Sequence, residues 1–205
     1  MASILDLLNT QTGEQLIDKA SSNTSEDKDK VTSVLGMALP LILGAMKSNT
    51  KEPQGAENLN QALQSEKHNG DLLNNLENKN SEDLTGEGGK ILNHVLGSKK
   101  GSINKTIAAT LNIEETTVSK ILEMAAPVVM GLLGKQKRKD KVGASGLTGL
   151  LNSVLGSNAA HDQSLIESML DADGDGNVID DVAGMVLGNK GKKGGGLLGG
   201  MLGGK

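Results

Sequence analysis

The sequence predicts an all-α protein, in which a bundle of two related helical units is followed by a helical hairpin. Apolar residues recur at helical spacing along most of the chain. Alternating apolar and polar runs of the kind that indicate half-buried strands are few, since the β-branched residues lie within helical periodicities. Two long apolar segments also resemble each other, which indicates a duplicated helix.

This duplication is the main internal feature of the chain. Residues 31–46 and 118–133 share one register at an offset of 87 residues, counted from Val31 to Val118. Six positions of that register hold identical residues in both copies, and most others exchange one aliphatic residue for another. In the first copy the identical residues are Val31, Leu35, Met37, Ala38, Pro40 and Gly44. We interpret the pattern as two copies of one helical unit.

Each repeated segment is apolar almost throughout, which is typical of a helix buried on most sides. Pro40 and Pro127 each remove a backbone donor, so we expect each helix to kink or break there. Gly44 and Gly131 lack a Cβ and would let another backbone approach closely. We favour a pair of kinked core helices that share one core over the alternative of a hinge or pore.

Shorter signals mark the ends of other helices. Thr24 or Ser25, and later Asn112, precede acidic residues and are candidate N-caps. Residues 91–97 resemble residues 150–156, and each segment ends in a glycine, which predicts two helices that stop at Gly97 and Gly156.

Composition restricts what the protein could bind. The chain has no Phe, Trp, Tyr or Cys, so its core must be aliphatic, and it cannot stack aromatic rings on bases or build a zinc-thiolate site. A formal charge of -4 gives no general attraction to nucleic acid. The basic run at residues 135–141 is interpreted as a solvated linker.

The N-terminus predicts no export signal. It lacks a basic region, and Asp6 interrupts its apolar run. No uninterrupted apolar stretch reaches the roughly 18 residues of a transmembrane helix. The cytoplasm is therefore the expected compartment by default, with export by another route left open.

The repeated Met-Ala-Leu-Pro and Met-Ala-Ala-Pro helices, the Ile-Leu-Asn-His-Val-Leu-Gly segment, and an acidic Asp-Gly-Asp-Gly loop before a Gly-Leu tail form a distinctive combination. Over nearly the whole chain it resembles the bacterial YidB-like proteins, a domain of unknown function (DUF937). The resemblance implies a bacterial helical protein and no established activity.

The acidic loop is the strongest candidate site. Calcium takes six to eight oxygen ligands, and EF-hand loops supply them from positions 1, 3, 5 and 7 and from a later carboxylate. The first eight residues of this loop, 171–178, follow that pattern, with Gly176 at the turn position. The predicted calcium ligands are Asp171, Asp173, Asp175, Asn177 and, as the closing carboxylate, Asp181.

The end of the loop departs from an EF-hand. Val182 stands at position 12, where a bidentate Glu is expected, so the closing ligand is Asp181 or, less favoured, Asp180. The loop is therefore more similar to dockerin-type or thrombospondin-type loops than to a calcium sensor. Helices are expected at 164–170 and 179–187. The alternative is an acidic glycine turn that binds no ion.

The C-terminal tail, residues 194–204, consists of Gly, Leu and Met. A helix there would place Gly196, Gly200 and Gly204 on one side and the aliphatic residues on the other, a surface suited to close packing. Each Gly costs about 1 kcal/mol relative to Ala in a helix, so the tail should not order alone in water. Docking onto another copy is the favoured explanation, a membrane surface is its rival, and a tail without a partner is the third.

Catalytic motifs are lacking. His68, His94 and His161 have no Asp, Glu or Cys at ligand spacing, and no phosphate-binding glycine motif follows a strand. His94, on an apolar helix, is expected in the core. No catalytic residue and no organic cofactor are predicted.

The sequence thus predicts three regions: a helical bundle at 1–141, a calcium hairpin at 142–188 and a Gly/Leu-rich tail at 189–205. We expect a non-enzymatic calcium-binding structural protein that forms homo-oligomers or polymers through its apolar helices and tail. The alternative is a calcium-responsive binding module that regulates a protein partner or associates with a membrane surface.

Overall fold

The computed structural model describes residues 4–156, and this part of the chain is all-α, as predicted. The predicted calcium ligands at 171–181 and the Gly/Leu tail lie outside the described residues. Eight α-helices follow in order: α1 (Gln11–Thr24), α2 (Lys28–Asn49), α3 (Pro53–Gln64), α4 (Asp71–Asn74), α5 (Ser81–Leu96), α6 (Lys99–Leu111), α7 (Glu115–Lys139) and α8 (Leu147–Leu155). Short 3-10 helices at Ile4–Asn9, Glu66–His68, Leu76–Asn78 and Ala144–Gly146 complete the described chain.

The duplicated unit is a helical hairpin, α1–α2 in one copy and α6–α7 in the other. A residue in the left-handed conformation ends the first helix of each, Ser25 with φ 59° and Asn112 with φ 51°. These two positions are again 87 residues apart, so the repeat extends through the turn. The sequence predicted Thr24 or Ser25, and Asn112, as N-caps, which is wrong, since Thr24 is the last residue of α1 and the other two are C-caps. Small polar side chains suit both helix ends, and here they close the preceding helix.

The N-cap positions are held by the acidic residues Asp27 and Glu114, both in extended conformation and also 87 residues apart. A carboxylate near a helix N-terminus is favourable because the helix dipole is positive there. Two of the acidic residues that suggested caps upstream thus occupy the N-cap positions themselves, although neither side chain makes a capping hydrogen bond.

The two proline-containing helices form the centre of one core. α2 and α7 pack against each other, and both are continuous through Pro40 and Pro127, so of the predicted kink or break at each proline the break does not occur. A single cluster of buried aliphatic residues runs through both helices. The prediction that they share one core is confirmed.

Helices α5 and α8 stop where the sequence predicted. Gly97 and Gly156 follow them with positive φ angles of 55° and 86°, and their N–H groups donate to the carbonyls of Asn93 and Asn152. Glycine adopts positive φ without steric cost, which explains its place at both ends. α8 lies against α2, where the hydroxyls of Thr148 and Thr50 are 3.0 Å apart.

The basic run at 135–141 is not a solvated linker. Most of it belongs to the last turns of α7, and Lys137 is buried. The Arg138 guanidinium donates hydrogen bonds to the carbonyls of His68, Gln64 and Ser65 at 2.9 to 3.2 Å. Cations are favourable at a helix C-terminus, and here one of them also fastens the chain that follows α3.

Within the described residues, α2 and α7 are long and apolar enough to cross a membrane by length and composition. Most of each apolar window lies inside the bundle, 61% for α2 and 72% for α7.

Candidate binding cavity

An open cavity of about 550 Å³ lies between the C-terminal end of α2, α3 and α5, and His68 and α7 contribute to its inner wall. Its aliphatic lining comes from four half-buried and two buried side chains. The half-buried ones are Leu59, Ala62, Ile91 and Val95, and the buried ones are Met46 and Met130. Cavities of this size and lining are typical of sites that take an apolar ligand or segment.

A tight turn between α2 and α3 builds one wall. Pro53 starts α3, where its missing N–H costs nothing because the first helical donors have no partner within the helix. Gly55 lies so close to the carbonyl of Asn49 that a Cβ would overlap the oxygen, so the turn requires glycine. The Asn49 amide also donates to the carbonyl of Val95 at 3.1 Å. This bond ties the end of α2 to the last turn of α5 across the cavity.

His68 is the buried polar residue of the inner wall. Its side chain is 7% exposed, and its Nδ1 has no hydrogen-bond partner in the described chain. Burial lowers the pKa of His68, although nearby Glu87 partly opposes that shift. The ring is therefore neutral at pH 7 and has an unused polar nitrogen, which is costly in a buried position.

Two contacts on the other side of the chain hold His68 in place. Its carbonyl accepts the hydrogen bond from Arg138, and the same carbonyl lies against Gly134 of α7, where a Cβ would overlap it. At Gly131, where a close backbone approach was predicted, an added Cβ would lie 3.6 Å from the Leu73 side chain and 4.0 Å from the Cα of Gly70, which are ordinary contact distances. The neighbouring backbone therefore does not require glycine at this position. The tight approach lies three residues later, at Gly134.

His94 lies at the opening of the cavity and is exposed, so its predicted burial is wrong. It is on the solvent side of α5, one turn after Lys90, which is also exposed. Other polar residues of the opening are Ser48, Asn49, Glu52 and Asn58. The cavity thus has an aliphatic interior and a polar rim.

The described residues contain no group of three His, Asp or Glu side chains able to hold a metal ion. The calcium ligands predicted from the sequence lie outside the described residues, so the structure gives no distances between them.

A family model described as a bacterial protein of unknown function (DUF937) matches residues 6–136 and 138–205. The chain belongs to this family. No curated protein and no solved structure matches it. Because the DUF937 family has no assigned function, a functional proposal depends on the cavity and on the residues of this chain.

Proposed function

We propose that this DUF937 protein is a non-enzymatic, calcium-binding structural protein that assembles with copies of itself. The observation that carries the proposal is the open aliphatic cavity beside α3. Its four half-buried aliphatic residues continue the core outward without being covered by the described chain. The free energy falls when an aliphatic segment covers such a surface and removes it from water.

The same chain carries a segment of matching chemistry. Residues 194–204 hold Leu197, Leu198, Met201 and Leu202 among glycines, and the apolar lining of the cavity is likewise aliphatic. An exposed acceptor and an aliphatic tail that docks on another copy would together give head-to-tail association, which extends into polymers when it does not close into a ring.

Calcium enters the proposal through the acidic loop that precedes the tail. Five Asp lie within residues 171–181 and repel one another unless a cation neutralises them. Oxygen ligands from Asp171, Asp173, Asp175, Asn177 and Asp181 would hold Ca²⁺ and fix the chain on either side of the loop. An ion that binds only the folded form stabilises that form by mass action.

The second candidate is a calcium-responsive module that binds an aliphatic segment of a different protein. The same cavity favours it, because its lining does not depend on where the segment originates. Association with a membrane surface receives less support, since most of the apolar surface of α2 and α7 is already buried in the bundle.

Size-exclusion chromatography with light scattering tests the assembly. The full chain is measured with calcium and with chelator, beside a variant carrying Leu198→Asp and Leu202→Asp and beside Leu5→Asp, a control at an exposed leucine. We expect oligomers with calcium for the natural chain and the control, and monomers for the tail variant. A natural chain that remains monomeric under every condition contradicts self-assembly.

A further inference from the structure

We propose that the cavity between α2, α3 and α5 is the acceptor site for the Gly/Leu tail, residues 194–204, of a second copy of this chain. This inference rests on the proposed self-assembly and specifies the two surfaces that meet. It assigns a binding role to His68 and to the half-buried residues of α3 and α5.

The lining fits an aliphatic segment without aromatic rings. Leu59 and Ala62 on α3 face the cavity together with Ile91 and Val95 on α5, and Met46 lies beneath them. Methionine adapts its shape to a packed neighbour more easily than branched residues do. Leucine and methionine side chains of the tail therefore match this surface in both chemistry and size.

His68 forms the buried polar part of the inner wall. Its side chain is 7% exposed, and its enclosed Nδ1 has no partner within the described residues. The ring contributes to the cavity lining, and burial lowers the pKa of His68. The neutral form is therefore favoured, and no charge is placed against a docked aliphatic segment.

The segment before the tail is cationic, and two carboxylates lie at or near the cavity. Lys190, Lys192 and Lys193 precede the tail in sequence. Glu52 lies on the cavity rim, and Glu87 is close enough to His68 to affect its pKa. These carboxylates favour the approach of a cationic segment, whereas Lys90 opposes it at one point of the rim.

The length of chain beyond α8 allows docking in either of two ways. The 37 residues at 157–193 lie between the last described residue and the tail. A connection of this length does not by itself select between the tail's own cavity and the cavity of a neighbour. A tail that filled its own cavity would remove the acceptor needed for assembly, so the proposed function requires the tail of a second copy.

Single cysteine substitutions test the contact directly, because the natural chain has no Cys. Full-length Asn58→Cys, at the exposed rim of α3, is mixed with full-length Met201→Cys in calcium under mild oxidation. A disulfide requires the two Cα atoms to come within about 7 Å, so it reports docking. The control pair replaces Asn58→Cys by Ser22→Cys, an exposed position of α1 outside the cavity.

We expect the disulfide-linked heterodimer to form about ten-fold faster with Asn58→Cys than with Ser22→Cys, as a ten-fold preference for the cavity would produce. Adding Ala62→Leu, which fills the cavity, should remove the preference. Adding Gln61→Leu, at an exposed position of the same helix, should leave it unchanged. Equal rates for the two pairs, or a preference that survives Ala62→Leu, overturn the proposal.

A chain carrying both Asn58→Cys and Met201→Cys distinguishes the source of the tail. Crosslinking within one chain, together with no heterodimer in the mixture of single variants, overturns docking in trans. Light scattering of the uncrosslinked single-variant mixture separates this result from the broader proposal. If calcium-dependent oligomers form without cavity crosslinks, the acceptor site is overturned and self-assembly is not. If cavity crosslinks form in a sample that is monomeric by light scattering, stable assembly is overturned and the acceptor site is not.

Discussion

Gly88 of α5 lies directly against the main-chain carbonyl of Glu123 in α7. Pro127 has no N–H, so the carbonyl four residues before it, that of Glu123, lacks its usual helical donor. The carbonyl of Glu123, which Pro127 leaves without its helical donor, is thus the one that Gly88 of α5 contacts, and Gly88 has no side chain to prevent the contact. The close contact of these two helices, which also positions the α5 wall of the cavity, depends on that glycine.

We therefore predict that Gly88→Ala destabilises the protein by about 3 kcal/mol or more, because the new methyl group would overlap a carbonyl of the core and force the helices apart. Chemical denaturation of the full chain measures the change. Gly86→Ala is the matched control, since a Cβ at Gly86 meets open space in the same helix. The control should gain about 0.5–1 kcal/mol from helix propensity. Equal effects of the two substitutions contradict the role assigned to Gly88.

The side chain of Glu123 adds a second connection at this point. Its Oε1 accepts hydrogen bonds from Lys100 Nζ at 3.0 Å and from Ser119 Oγ at 3.1 Å. Both partners of the ion pair are 19% exposed, so solvent screens the pair less than it screens one on the open surface. A double-mutant cycle with Lys100→Met and Glu123→Gln should give a coupling energy of about 1 kcal/mol. The pair of Lys28 and Asp18, whose side chains are 63% and 57% exposed, serves for comparison and should give a smaller coupling.

Arg138 fastens the segment that carries His68. We predict that Arg138→Lys lowers the free energy of unfolding by about 1–2 kcal/mol, because a lysine ammonium cannot reproduce the planar fork that reaches three carbonyls. Lys139→Ala, one residue later and exposed, should have little effect. Thermal and urea unfolding give both values. An Arg138→Lys variant as stable as the natural chain would show that the bonds to His68, Gln64 and Ser65 contribute little.

Local patterns predicted much of the fold, and long-range contacts account for what was missed. The register from Val31 to Val118 predicted a duplicated helix because apolar spacing is a property of each segment alone. Ser25 and Asn112 misled because their side chains suit both ends of a helix. His68 lies in a polar stretch that carries no sign of burial, and it is buried only because Gly134 and Arg138 meet it from α7.

His68 predicts a specific pH dependence. The pKa of His68 is lowered in the folded protein, chiefly by burial, whereas in the unfolded chain it has its ordinary value of about 6.5. At a pH between these two pKa values, the unfolded chain therefore binds more protons than the folded one. The stability associated with the neutral ring is therefore complete above about pH 6.5 and decreases as the pH falls toward the folded pKa. Urea unfolding at pH 7.5 and pH 5.5 should show a larger loss for the natural chain than for His68→Gln. His94→Gln, at the exposed histidine of the rim, should retain the loss seen in the natural chain.

Calcium binding by the acidic loop is the prediction closest to the proposed function. Because an ion that binds only the folded protein stabilises it by about 2.7 kcal/mol at one hundred times its dissociation constant, millimolar calcium should raise the melting temperature by several degrees. Asp173→Ala removes a predicted ligand and should abolish the rise, whereas Asp140→Ala removes a carboxylate at the end of α7 and should leave it intact. Magnesium should produce a smaller rise, because it demands a stricter octahedral geometry and gives up its water reluctantly. An unchanged melting temperature in millimolar calcium would show that the loop is an acidic turn and would remove calcium from the proposed mechanism of assembly.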